Sequence, residues 1–393
     1  MRVLHVTPYF APAFNYGGPP RSILGLCKAL LKAGVKLEVF TTTANGAFDL
    51  PATSGPAEDY EGVPVRYFPR AFPRKFFGTA GLAEMISSVI DEYDVLHIHG
   101  LWNLPAWTAS QPARKARLPY IISPRGMLEP ASLSHKSWRK RLAYLMMERR
   151  NLSKARLLHA TSAVEGQTLK SYGFDAEVVV LPNGVDVWEG PPLTRGVFRR
   201  KYGLDENTRL IVFLGRIHPI KRLDILASAF GRVKEDLPDS RLVIAGPDEC
   251  GHRRTLEPIF SQIDEAVLWI GEAGQADKWE LLRDADVLVM CSDSESFGIS
   301  VVEAMAAGLP VVVTKTCPWQ EVETAGCGFW VAQESGEIAR ALKYILSHPV
   351  EAQAMGARGK SLATANYGWD SIARKMAACY ETAAGSRSAI GLR

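Results

Sequence analysis

Two carboxylates, Glu295 and Glu303, flank the stretch Ser296-Phe297-Gly298-Ile299-Ser300-Val301-Val302, and the apolar run Ala304-Met305-Ala306-Ala307 follows. The spacing predicts a helix that opens near Gly298, with one acid just ahead of it and the other about a turn inside. The first N–H groups of such a helix have no intrahelical partner, and its dipole favours an anion there. A phosphate at that end would have a carboxylate on either side to hold hydroxyl groups. The chemistry this suggests is binding of a sugar joined to a nucleotide through a diphosphate.

Cations to match that charge stand nearer the N-terminus of the same half. Ile211-Val212-Phe213-Leu214 reads as a strand, Gly215 permits a sharp turn, and Arg216 and Lys221 follow. A planar guanidinium and a compact ammonium at a strand end can together neutralise a diphosphate. Arg and Lys on a surface usually mean only solubility, and it is the pairing with the acid motif on one face of a sheet that favours the diphosphate. In the first half, Gly17 and Gly18 lie between a strand and a helix, where they allow close backbone approach to a ligand. They do not form a GxGxxG fingerprint, and a plain turn into a helix with Pro19 and Pro20 in its first turn explains them equally well. His97 and His99 share one side of a strand. His99, nearer the carboxyl end, is expected to reach a cleft, and His97 to be structural. Arg125 ends the next strand in the same manner. Asp284-Ala285-Asp286 has the DxD form of a metal-dependent transferase, but it precedes a strand and so falls at the amino end; it reads as a turn feature. No other cluster has metal-ligand spacing, so no metal is expected.

Positioning these groups requires a repeated α/β pattern. Strands are predicted at 2–7, 35–42, 63–68, 94–99, 120–123 and 157–161, with helices near 21–33, 79–92, 103–117, 137–153 and 163–172. Leu181-Pro182-Asn183-Gly184-Val185-Asp186 reads as a linker. The pattern then restarts, with strands at 209–215, 241–245, 267–270, 287–290, 311–314 and 328–331. The prediction is α/β: two doubly wound domains, 1–183 and 184–368, facing across a cleft, with a helix and tail over 369–393.

At 393 residues and 47% hydrophobic content, the chain is long enough for two cores and is not disordered. No run of about twenty apolar residues occurs, no signal peptide is read at the start, and six cysteines lack CxxC spacing, so a cytoplasmic enzyme with reduced thiols is expected. Residues 1–185 hold 22 Lys/Arg against 14 Asp/Glu, hence +8, and residues 186–393 hold 24 against 28, hence −4. Eight basic residues fall within 136–156, against the single acid Glu148, and Trp138, Leu142, Leu145 and Met146 recur there at helical spacing. Residues 70–77 (RAFPRKFF) form a second basic-aromatic segment. Together they suggest peripheral contact with an anionic membrane, on its inner face; a helix packed on its own sheet is the other reading. Nucleic acid is not expected, since no stacking motif accompanies the charge.

On these residues the chain resembles the family-4 glycosyltransferases of GT-B fold. Glu295 and Glu303 match the E-x7-E motif, and EAMAAGLPVV matches the run that follows it. Gly215, Arg216 and Lys221 match the Gly-Arg…Lys pattern, Gly17 and Gly18 the N-terminal double glycine, and His99 the strand-end histidine. The resemblance implies transfer of a sugar from a nucleotide-diphosphate donor to a hydroxyl acceptor, with retention of anomeric configuration and without metal or other cofactor. It implies that Glu303 holds the ribose, and that Glu295 with the Phe297, Gly298 and Ile299 backbone holds the donor sugar and phosphate. Arg216 and Lys221 would balance the diphosphate, the Glu272-Ala273 loop would contact the base, and His99 would face the sugar or acceptor. A helix around Trp369 is implied to cross back to the first domain. Asp293-Ser294 departs from the larger or aromatic residues of many relatives. The acceptor suggested by the basic first half is a glycan, such as a cell-surface polysaccharide, growing on a lipid carrier. A nucleotide-sugar epimerase and a non-catalytic sugar-nucleotide-binding module are the alternatives.

Overall fold

A computed structural model describes residues 1–129, 148–186, 194–248 and 251–390. The chain divides into two compact units, Met1–Gly184 together with the residues from Trp369 onward, and Val185–Gly368. Gly184 thus falls with the first unit, one residue beyond the expected boundary.

In the first unit, β1 (Arg2–Val6), β2 (Lys36–Thr42), β3 (Glu58–Tyr60), β4 (Val63–Phe68), β5 (Val95–His99), β6 (Tyr120–Ser123), β7 (Leu157–Ala160) and β8 (Glu177–Val180) form one sheet. Its order is β8-β7-β6-β5-β1-β2-β4-β3, and only β3 pairs antiparallel. The strands are apolar on both faces because helices cover both. Leu4 and Val6 join one core, while Val3 joins the other with α1 (Gly18–Lys32). β3 and β8 escaped prediction because they are short edge strands, with exposed Glu58 and Glu177 at their starts.

In the second unit, β9 (Arg209–Leu214), β10 (Ser240–Ala245), β11 (Val267–Gly271), β12 (Val287–Met290), β13 (Val311–Thr314) and β14 (Gly328–Val331) are all parallel. Their order is β11-β10-β9-β12-β13-β14. Strand order therefore reverses between β9 and β12, and in the first unit between β1 and β5. In a doubly wound sheet, the crevice beyond the carboxyl ends of the strands at that reversal receives ligand. The helices that matter for this unit are α2 (Gln275–Asp284) and α3 (Ile299–Ala306).

The final helix, α4 (Trp369–Ile390), packs on the first unit, where Ile372, Ala373, Met376 and Tyr380 join the core with α1. Its entry depends on two glycines. A Cβ added to Gly25 would lie 2.4 Å from the Trp369 ring, and one added to Gly184 would lie 2.2 Å from it. The helix expected over 137–153 falls mostly outside the described residues; Arg149–Lys154 is helical.

Candidate active site

In the second unit the two acids of the E-x7-E segment each meet a lysine. Lys221, in the turn that follows β9, forms an ion pair with Glu295. The Ser292 hydroxyl donates to the same Glu295 oxygen at 2.8 Å. Both charged side chains of this pair are largely enclosed. Glu303, on α3, pairs with Lys278 of α2 at 2.6 Å, with side-chain exposures of 14% and 10%. Enclosure strengthens each attraction relative to water but also makes each ion dependent on its partner.

The turn between the acids is locked from behind. Gly298 has φ +82, a left-handed conformation that suits glycine, and it caps α3. Phe297 is buried against Trp319 and Tyr367, and Trp319 Nε1 donates to the Phe297 carbonyl. The expectation for Phe297 concerns its backbone at the helix start; its side chain and carbonyl anchor the turn from the core side. The aromatic side chain is driven into the core, and its carbonyl finds its donor there.

Arg216 follows Gly215 at the end of β9 and is half-buried. A Cβ on Gly246 would fall 1.9 Å from the Gly215 carbonyl oxygen, so the loops after β9 and β10 touch backbone to backbone. Glu272 and Ala273 follow β11, and the loop they occupy leads directly into α2, which carries Lys278. Asp293 accepts from Arg222 at 2.9 Å and from Gln333 at 3.0 Å, so its charge is committed to those partners. Asp284 is fully buried and accepts from the Gly196 and Arg199 backbone N–H groups, while Asp286 accepts from Leu210 N at 2.7 Å. The DxD sequence is a clamp on the amino-end turn, as its position before β12 implied.

The first unit holds a different cluster. Gly17 (φ +84) and Gly18 open α1, and Ser22 of that helix accepts from Arg125 Nη1 at 2.9 Å. His99 does not reach an open cleft, which corrects the expectation for it. It is 1% exposed, with Nε2 3.0 Å from His5 Nδ1 and Nδ1 3.2 Å from Arg125 Nη2. The reason is register: His5 lies opposite His97 in the neighbouring strand, so the histidines of β1 and β5 stack on one another instead of projecting outward. His97 is equally enclosed, between Tyr380 OH at 2.6 Å and Ser123 Oγ at 2.7 Å. Burial pushes His5 down to about 3 and His159 to about 4, with Arg125 adding to the effect, and holds His97 and His99 well below the usual imidazole range.

Sequence reasoning missed Lys278, Ser292, Trp319, His5, His159 and Tyr380. His5 and His159 carried a local signal, each being a polar residue inside an apolar strand, Arg2–Val6 and Leu157–Ala160. Ser292 stands only three residues before Glu295, whereas Lys278, Trp319 and Tyr380 are brought to their partners by elements remote in sequence.

Comparison with known proteins fits this architecture in both units. Residues 17–184 match the glycosyl transferase 4-like domain, and residues 194–362 match the glycosyl transferases group 1 family. The chain belongs to the group-1, family-4 glycosyltransferases. It is 27% identical to a D-inositol 3-phosphate glycosyltransferase of Kineococcus radiotolerans over 98% of this chain and 95% of that protein. An uncharacterised glycosyltransferase of Methanocaldococcus jannaschii is 26% identical over 98% of each chain. Among solved structures, sucrose-phosphate synthase of Thermosynechococcus elongatus superposes with a TM-score of 0.77 at 20% identity, covering 97% of this chain and 98% of that one. Anabaena HepE, in complex with UDP and glucose, does so at 0.75 and 20% identity, covering 97% of this chain and 100% of that one. This glycosyltransferase therefore has the GT-B fold, and the epimerase and binding-module readings are not favoured.

Proposed function

We propose that this glycosyltransferase moves a sugar from a nucleotide-diphosphate donor to a hydroxyl group of a growing glycan, retaining the anomeric configuration and using no metal. The observation that carries the reading is the pair of lysine–glutamate contacts at the strand-order reversal of the second unit. Lys221 and Glu295 sit where a diphosphate and its sugar would meet the start of α3, and Lys278 orders Glu303 for the ribose. Breaking a glycosyl phosphate bond builds negative charge on the departing diphosphate and positive charge on the sugar. Lys221 and Arg216 then meet the first, and Glu295 meets the second. Charges fixed in advance stabilise that separation without reorganisation. Glu272 and Ala273 would border the base, and Gly17 and Gly18 the donor phosphates.

The acceptor in this reading is lipid-linked, and the first unit lies on an anionic membrane. Phe48, Phe72 and Phe76 are exposed at 79%, 93% and 48% beside Arg74 and Lys75, and Arg149, Arg150 and Lys154 add charge in the same unit. Residues 130–147, the rest of the basic segment, lie outside the described residues. No helix among the described residues is long and apolar enough to cross a membrane. Sedimentation with anionic liposomes at low salt tests this part: failure to co-sediment refutes it. For the donor, Lys221→Ala and Glu303→Ala should each lower transfer at least a hundredfold with the fold retained, and near-normal turnover in both refutes the site.

A further inference from the structure

The histidine cluster of the first unit is one continuous hydrogen-bond chain, and its two ends fix its direction. At one end Arg125 can only donate; at the other the Leu181 carbonyl, 2.8 Å from His159 Nε2, can only accept. His159 therefore carries its proton on Nε2, and its Nδ1 accepts from the Ser123 hydroxyl at 2.7 Å. Ser123 oxygen accepts from His97 Nε2, and His97 Nδ1 accepts from Tyr380 OH. The Tyr380 oxygen in turn faces His5 Nε2 at 3.4 Å, His5 Nδ1 accepts from His99 Nε2, and His99 Nδ1 accepts from Arg125. One assignment satisfies every link, with all four histidines neutral and protonated on Nε2. Their depressed pKa values agree with it.

His5, His97 and His99 are also close enough together to hold a metal ion. The chain leaves no ring lone pair for one, because every Nδ1 already accepts a hydrogen bond. What the chain holds is the guanidinium of Arg125, and it does so without neutralising it. Nη1 donates to the Ser22 hydroxyl and, at 3.3 Å, to Asn183 Oδ1, and Nη2 donates to a neutral imidazole. Glu165, the acid that most favours the charge of Arg125, binds the N–H of Gly126 with one oxygen and Thr161 with the other. Among the described residues, three of its five N–H groups are used; one on Nη2 remains, and Nε is shielded from water without a partner. Arg125 is itself held at φ +56, a left-handed conformation that costs a non-glycine residue of the order of 1 kcal/mol. Among the described residues, this half-buried cation at the carboxyl end of β6 keeps two unused donors and has only neutral hydrogen-bond partners.

We infer that Arg125 is an anion site of the first unit, and that the acceptor of this glycosyltransferase carries a phosphate or carboxylate that completes it. Placing that anion on the acceptor rests on the reading of the first unit as the acceptor side. The donor's diphosphate shares the same chemistry, so the test separates the two. Inorganic phosphate is titrated into the full chain labelled with 15N at histidine, and into a second sample saturated with nucleoside diphosphate.

The expected results are four pH-insensitive Nε2-H histidines between pH 5.5 and 8, and a saturable phosphate-induced shift at His99 Nδ1. The shift should survive Lys221→Ala and excess nucleotide, weaken at least tenfold in Arg125→Gln, and return partly in Arg125→Lys. No saturable shift in the unmodified protein, or the same shift in Arg125→Gln, overturns the anion site. Loss of the shift in Lys221→Ala or with nucleotide assigns the phosphate to the donor and overturns the acceptor claim. Loss of the histidine signals on titrating zinc, with their recovery on adding a chelator, overturns the chain in favour of a metal. Failure of the transferase reading is seen separately, as normal turnover in Lys221→Ala, and leaves phosphate binding at Arg125 intact.

Discussion

Replacing Lys278 with Met keeps most of the side-chain volume and removes the charge 2.6 Å from Glu303. Both partners are about nine-tenths enclosed, so Glu303 loses an attraction that water cannot replace. Breaking a fully buried pair costs about 3–5 kcal/mol. The residual exposure of 10% and 14% reduces the expectation to about 2 kcal/mol. The second unit should therefore melt earlier, read by differential scanning calorimetry with the two units' transitions followed separately. If Glu303 binds the ribose in ground and transition states alike, KM for the donor should rise at least tenfold while kcat changes little. The double variant Lys278→Met with Glu303→Gln separates the two effects. It removes the stranded charge, so stability should return by about 1 kcal/mol or more, while donor affinity stays low. A double variant no more stable than Lys278→Met, or a single variant with normal KM, would refute the assignment of Lys278 as the residue that orders Glu303.

Three further expectations follow from contacts already described. Trp319→Phe removes the N–H that holds the Phe297 carbonyl; it should cost about 1 kcal/mol of stability and slow transfer more than it weakens nucleotide binding, measured by steady-state kinetics against calorimetric titration. Gly184→Ala drives a Cβ to within 2.2 Å of the Trp369 ring and should destabilise the first unit by about 2 kcal/mol or more, with Trp369 fluorescence reporting the displacement; an unchanged melt would show that the ring moves freely. Acidification should destabilise the first unit through its buried histidines. With His159 held near 4 when folded and near 6.5 when unfolded, the unfolded chain takes up protons first. Stability is then full above about pH 7 and is lost as pH falls from 6.5 towards 4, by about 2 kcal/mol at pH 5 from His159 alone. Melts that are flat from pH 8 to 5 would contradict the neutral chain.

The strands that carry the site could be read directly, because parallel strands covered on both faces are unbroken apolar runs such as Leu210–Leu214 and Val311–Val313. Glu295, Gly298 and Glu303 were equally legible, since a helix start, its glycine cap and the acids beside it are neighbours in sequence. Lys278 and Trp319 were not, because the residues they serve, Glu303 and Phe297, lie 25 and 22 positions away and nothing local marks either one. His99 was misjudged for a related reason: its place in β5 is a property of the strand, but its enclosure depends on which strand lies alongside. The register that sets His5 opposite His97 is fixed by the whole sheet.

By itself, then, the sequence determined two α/β units, the acid-flanked helix start and the cations of the second, because each is written in the local order of residue types. Tertiary structure alone decided which lysine meets which glutamate, and that Tyr380 of the last helix links His5 to His97 in a hydrogen-bond chain that runs from Arg125 to the Leu181 carbonyl. Those facts depend on strand order and helix docking, where burial forces each polar group to find a partner that may be hundreds of residues away.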